Sequence, residues 1–177
     1  MIKLNLQYFG GRGASSGGAK TYHLYHGSPN ANIDSFDISK AGTNTSTGEK
    51  LIFFTDSKEF ADDFSYQRID TGSILFNKKG EKGKVYEADV TIKKPLNLTN
   101  LSKKDKENVI KMSDGELTTA QIEKFSSGNN QLLKSYLDLD KLQKFGYDAI
   151  IAKVNKKGDL EYGVVNNKQV KMRKGKK

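Results

Sequence analysis

Residues 84–92, KVYEADVTI, set Val85, Glu87, Asp89 and Thr91 against Tyr86, Ala88, Val90 and Ile92, the period of two that belongs to a half-buried strand. Lys94-Pro95 stops it, because proline cannot donate to a ladder. The other apolar runs are shorter and bounded by turn residues. They predict strands over 21–26 (TYHLYH, ended by Gly27-Ser28-Pro29), 51–55 (LIFFT), 148–154, 161–165 and 169–172. Asp56-Ser57 can cap a helix over 58–66 that carries Phe60, Ala61 and Phe64 on one face. From about 101 to 145 the pattern is helical, in two or three pieces broken near 113–115 and 126–130, and it ends at Gly146 as a helix C-cap does. Six short strands with helices inserted between them, rather than alternating with them, predict an α+β domain.

The length of 177 residues suits one domain with a core of its own. With no cysteine, the chain has no disulfide framework, thiolate zinc site or cysteine nucleophile. The formal charge of +9 is unevenly placed. Residues 1–20 hold Lys3, Arg12 and Lys20 with no acid, and residues 168–177 hold six basic side chains with no acid. Residues 21–167 balance 21 bases against 21 acids, which disfavours a uniformly basic nucleic-acid-binding domain. Residues 1–20, MIKLNLQYFGGRGASSGGAK, read as a flexible arm and 173–177 as a basic tail able to touch phosphates, leaving 21–172 as the domain. No apolar run approaches the roughly 18–20 residues of a membrane span, and the N-terminus lacks the apolar stretch of a secretory signal. A soluble chain without a membrane partner is expected.

Generic motifs give little. The glycines of 10–18 do not form G-x-G-x-x-G, and no Walker lysine, H-E-x-x-H or EF-hand spacing occurs. His23 and His26 lie three apart on a strand, hence on opposite faces, which is wrong for two ligands of one metal; no metal site is expected. In His26-Gly27-Ser28 an imidazole at a strand end precedes a glycine whose bare backbone can approach a ligand closely. The plainer alternative is a partly exposed histidine beside an ordinary turn.

Two further patterns favour function. Tyr25-His26-Gly27-Ser28, then 51–64 (LIFFTDSKEFADDF), then 161–170 (EYGVVNNKQV) resemble, in order and local spacing, the three signature blocks of ADP-ribosyltransferases of the diphtheria-toxin-like and poly(ADP-ribose)-polymerase-like branch. The interval from Glu161 to Gln169 is that of the family. Residues 86–98 (YEADVTIKKPLNL) and 145–151 (FGYDAII) are similar to segments of the bacterial and phage members found in polyvalent proteins.

The resemblance implies a split β-sheet core with inserted helices, and NAD as the substrate whose nicotinamide–ribose bond is cleaved. Glu161 would bind the 2′-hydroxyl of the nicotinamide ribose, stabilise the developing cation, and orient or deprotonate the acceptor. His26 would donate to a ribose hydroxyl on the adenosine side, and the Gly27 backbone would grip the carboxamide. Phe53 and Phe64 would stack the nicotinamide, with Ser28 supporting the ribose. Both aromatic positions are tyrosine in most of the family, so stacking is kept and a hydroxyl is lost. Phe60 stands where polymerase-like members have a serine, and Lys50-Leu51 where a glycine usually precedes the block, departures that bear on rate.

The arm LNLQYFGGRGASSGG resembles the opening of minor head and head-associated proteins of phages of Gram-positive bacteria. The combination implies a phage-encoded mono-ADP-ribosyltransferase, carried in the capsid interior with head or portal proteins and delivered into the host cytoplasm. There it would modify a host protein or nucleic acid, selected through loops 42–50 and 77–83. A second reading is a catalytically weak minor capsid or ejection protein that binds packaged DNA through its basic tails. A third is an NAD glycohydrolase with water as acceptor.

Overall fold

The computed structural model describes residues 18–41, 50–69 and 78–173. Its elements are β1 (Lys20–Ser28), β2 (Ile52–Thr55), α1 (Lys58–Asp63), β3 (Tyr66–Ile69), β4 (Lys78–Lys82), β5 (Lys84–Ile92), β6 (Pro95–Asn97), α2 (Lys103–Met112), α3 (Thr119–Gly128), α4 (Asn130–Ser135), β7 (Ala149–Lys153), β8 (Leu160–Val164) and β9 (Val170–Met172). One sheet runs β6-β7-β8-β2-β1-β5-β9, and β3 and β4 form a separate hairpin. Only β6 and β7 pair in parallel; the other neighbours in the large sheet are antiparallel. The fold is the expected α+β class. β1 pairs with β5 along all nine residues but meets β2 in register only at Tyr25↔Thr55, so the sheet splits beyond that point.

Strand alternation sorts the core into two layers. Leu51, Phe53, Ile150 and Ala152 face the helices, packing with Val109, Met112, Ile122, Leu133 and Leu142. Leu24, Ile52, Phe54, Tyr86, Ala88, Val90, Ile151 and Val164 face the other way, where Ile33, Phe36 and Ile38 cover them. Segment 30–41 thus does for the second face what the helices do for the first. The helices start at Ser102 and Thr118, each with a reciprocal capping box to Asp105 and Gln121, and the block ends at Gly146 with φ of 77°, the left-handed cap position.

Four expectations change. The helix after Ser57 ends at Asp63 rather than Tyr66, because the Ser65 hydroxyl and amide both donate to the Asp62 carbonyl and turn the chain into β3. Nine strands stand among the described residues where six were expected. Pro95 stops β5 but also opens β6, an edge strand whose other ladder side needs no donor. The 77–83 loop contains β4, whose lysine-rich sequence carries no strand signal. Residues 1–17 of the arm, 174–177 of the tail and 42–49 of the other loop lie outside the described residues.

Candidate active site

His26 lies near the end of β1 with Nδ1 2.7 Å from the Phe53 carbonyl oxygen. A carbonyl only accepts, so Nδ1 carries the proton. The ring packs edge-on against Phe36 at 4.9 Å between centroids and tilted against Phe54 at 5.6 Å. Burial pushes the His26 pKa below its ordinary 6.5, partly opposed by the bond to Phe53. The ring is therefore neutral at pH 7, and Nε2 is an acceptor. Phe36 is fixed in turn by Phe54 and Tyr86, and the Tyr86 hydroxyl donates to the Asn30 carbonyl at 2.8 Å while accepting from the Ile33 amide at 2.9 Å. These contacts hold segment 30–41 over the strand end and leave a cavity of about 480 Å³ lined by His26, Ser28, Asp34, Lys40, Ile52 and Phe53, among others. The Ser28 hydroxyl accepts from the Asn30 amide at 3.2 Å, which leaves its hydrogen to donate.

Glu161 sits on β8 opposite Thr55, on the helix-covered face that also carries Phe53. Its Oε1 is 2.5 Å from Lys134 Nζ, and both side chains are mostly enclosed, 18% and 12% exposed. The same ammonium lies 4.7 Å from the centroid of the Phe53 ring. That ring lies close to Gly163, where a Cβ would fall 2.8 Å from Phe53 Cε1. Lys134 is brought to Glu161 by α4, which Asn130 clamps in place. Its amide donates to the Phe125 and Ser126 carbonyls, and its oxygen accepts from the Lys153 amide of β7 at 3.0 Å.

Gly27 is required by packing. A Cβ there would stand 1.7 Å from the Ala61 carbonyl oxygen, so only glycine lets α1 rest on β1. That Cβ would also lie 3.1 Å from the Phe64 backbone, and Phe64 is 44% exposed, its ring against Phe60 at 5.1 Å between centroids. Phe64 is thus an outward aromatic at the end of α1, unlike Phe53, which packs against the helical core.

The predicted site residues therefore divide. His26, Ser28 and Phe53 line one cavity; Glu161 reaches Phe53 through Lys134; Gly27 and Phe64 adjoin at α1. Other residues of the motifs serve the fold. Gln169 donates to the Thr91 and Asp148 carbonyls, Asp148 accepts from the Lys93 and Lys94 amides, and Asp56 accepts from the Leu160 amide. Tyr147 is buried between Asp105 and Asn108, and burial pushes its pKa up to about 12. His23 lies on the opposite face of β1, between Glu87 and Asp89. Lys134 and Phe36 carry no sequence signal, since the one reads as a solvated helix lysine and the other as a loop aromatic. Among the described residues no group of three His, Asp or Glu is arranged to hold a metal ion, and no helix is long and apolar enough to cross a membrane.

A large mixed sheet with helices packed on one face is consistent with an ADP-ribosyltransferase domain. The chain belongs to the family described as ADP-ribosyltransferase in polyvalent proteins, whose model matches residues 18–177. NAD is the substrate that such domains use. No curated protein matches the chain. A solved structure described as the crystal structure of an anti-CRISPR protein is similar at 14% identity and a TM-score of 0.44, over 86% of this chain and 96% of that one.

Proposed function

We propose that the domain cleaves the nicotinamide–ribose bond of NAD and transfers ADP-ribose to an acceptor. The observation that carries this reading is the continuous line of contacts from His26 to Phe53, from Phe53 to Lys134, and from Lys134 to Glu161. It joins both faces of the sheet at the split between β1 and β2. When the bond breaks, its electron pair leaves with the nicotinamide nitrogen and the ribose C1′ becomes cationic. The Glu161 carboxylate, fixed on β8, stabilises that charge. The acceptor then bonds to C1′, and the proton it releases passes to Glu161.

His26 takes a different part from the donor expected of it. A neutral ring with its proton on Nδ1 presents Nε2 to the cavity as an acceptor from an adenosine-side ribose hydroxyl. Ser28 donates there, Phe64 offers an exposed aromatic beside Gly27, and the motif resemblance assigns the carboxamide to the Gly27 backbone. The histidine, aromatic and glutamate set supports a place in the diphtheria-toxin-like and polymerase-like branch.

The test is incubation of the full chain with labelled NAD and host extract. Nicotinamide release and label transfer above the level of Glu161→Gln are expected; equal signal from the two proteins would overturn the reading. Nuclease and protease digestion of the labelled product separates a nucleic-acid acceptor from a protein. The likeness of the 1–20 arm to phage head proteins supports carriage in a virion before delivery to host cytoplasm. Full-length protein in purified particles at several times the abundance of an arm-deleted form is expected, and equal abundance would sink that part.

A further inference from the structure

The enclosed Lys134 ammonium occupies a specific seat. It is held between the carboxylate of Glu161 at 2.5 Å and the Phe53 ring at 4.7 Å. Cation on aromatic face and cation against carboxylate are the two interactions that a positively charged pyridinium ring on a ribose would make in the same place. Gly163 of β8, Ile150 of β7 and Leu51 crowd together beside that ring, since a Cβ at Gly163 would lie 2.8 Å from Phe53 Cε1 and 3.0 Å from each aliphatic side chain. The sheet thus crowds the edge of the Phe53 ring, and Lys134 lies over its face. The lysine is not a drifting surface side chain. Asn130 ties the start of α4 to both the end of α3 and β7, and Leu133 next to Lys134 is fully buried.

We propose that Lys134 is a place-holder for the cationic nicotinamide ring, occupying its seat between Phe53 and Glu161 and leaving it when NAD binds. This rests on the reading of the site as an NAD site, and it identifies a specificity-determining residue within it. Displacing the lysine offsets part of the binding energy of NAD. Ligands that lack the nicotinamide ring leave the seat alone and escape the competition.

Calorimetry on the full chain separates the possibilities, with NAD and ADP-ribose as probes and Lys134→Met and Lys134→Arg as variants. Methionine keeps most of the stem and removes the charge; arginine keeps the charge. The expected result is that Lys134→Met binds NAD about tenfold more tightly than wild type, the scale of a partly enclosed cation–π contact and ion pair together. Its affinity for ADP-ribose stays within about twofold, and Lys134→Arg follows wild type for both ligands. Both probes carry a pyrophosphate, so a lysine that merely attracts phosphate gives the opposite result, weaker binding of both. NAD affinity in Lys134→Met that is unchanged or lower, or a gain shared equally by ADP-ribose, overturns the place-holder while leaving the NAD site standing. Absence of NAD binding by wild type and both variants overturns the NAD site and the place-holder together.

Discussion

His26 and Glu161 sit on opposite faces of one sheet, and different forces hold them. His26 is wedged among Phe36, Phe54 and the segment pinned by Tyr86, where burial keeps it neutral and a carbonyl fixes its tautomer. Glu161 is held by charge, paired to a lysine on a helix that the sheet itself anchors through Asn130. Aromatic packing is rigid and cannot be exchanged for a ligand contact. An ion pair can be, when a second cation takes the place of the first. The pairing suits a site in which one end grips an uncharged ribose and the other must meet a charge that appears during the reaction.

The comparison can be broken at several points. Glu161→Gln removes the carboxylate while keeping its shape; transfer from NAD should fall by about 10²–10³-fold in a rate assay, and the unpaired Lys134 should also lower the melting temperature. Phe36→Ala attacks the packed half, and the loss of a buried aromatic should lower stability by about 3–5 kcal/mol in denaturant unfolding. Gly163→Ala forces a methyl into the Phe53 ring edge and two aliphatic neighbours, and should cost about 1–3 kcal/mol by the same measurement.

The smallest effect concerns pH. The folded-state pKa of His26 is lower than its unfolded value of 6.5, so the unfolded chain binds more protons between the two. The stabilisation is present above 6.5 and is lost as pH falls through the folded value. Melting temperature should therefore decline below pH 6.5 in wild type and decline less in His26→Gln, as thermal scans across that range will show.

What could be read from the sequence follows the same division. Packing leaves periodic traces: the alternation of Tyr86, Ala88, Val90 and Ile92 against Glu87 and Asp89 announced β5, and Ser102 with Asp105 marks the start of α2. Motif spacing singled out His26 and Glu161, and the structure puts them on β1 and β8, with β2 between, on opposite faces of the sheet. Gly27 was read as a ligand grip, and the Ala61 carbonyl shows that helix approach alone already demands glycine there. Lys134 was invisible because a long-range ion pair imposes no pattern on its neighbours: in NQLLKS it looks like any exposed helix lysine. β6 and β4 escaped for a related reason, since one begins with proline on a sheet edge and the other is mostly lysine.

In the proposed reading the two differently held halves meet on one molecule of NAD. An NMR titration of the full chain with NAD reads it directly, following the His26 ring proton on one face and the labelled Lys134 ammonium or its neighbouring Leu133 methyls on the other. Signals from both faces are expected to shift together and fit one dissociation constant. Shifts confined to one face, or two faces that respond with separate constants, would contradict it.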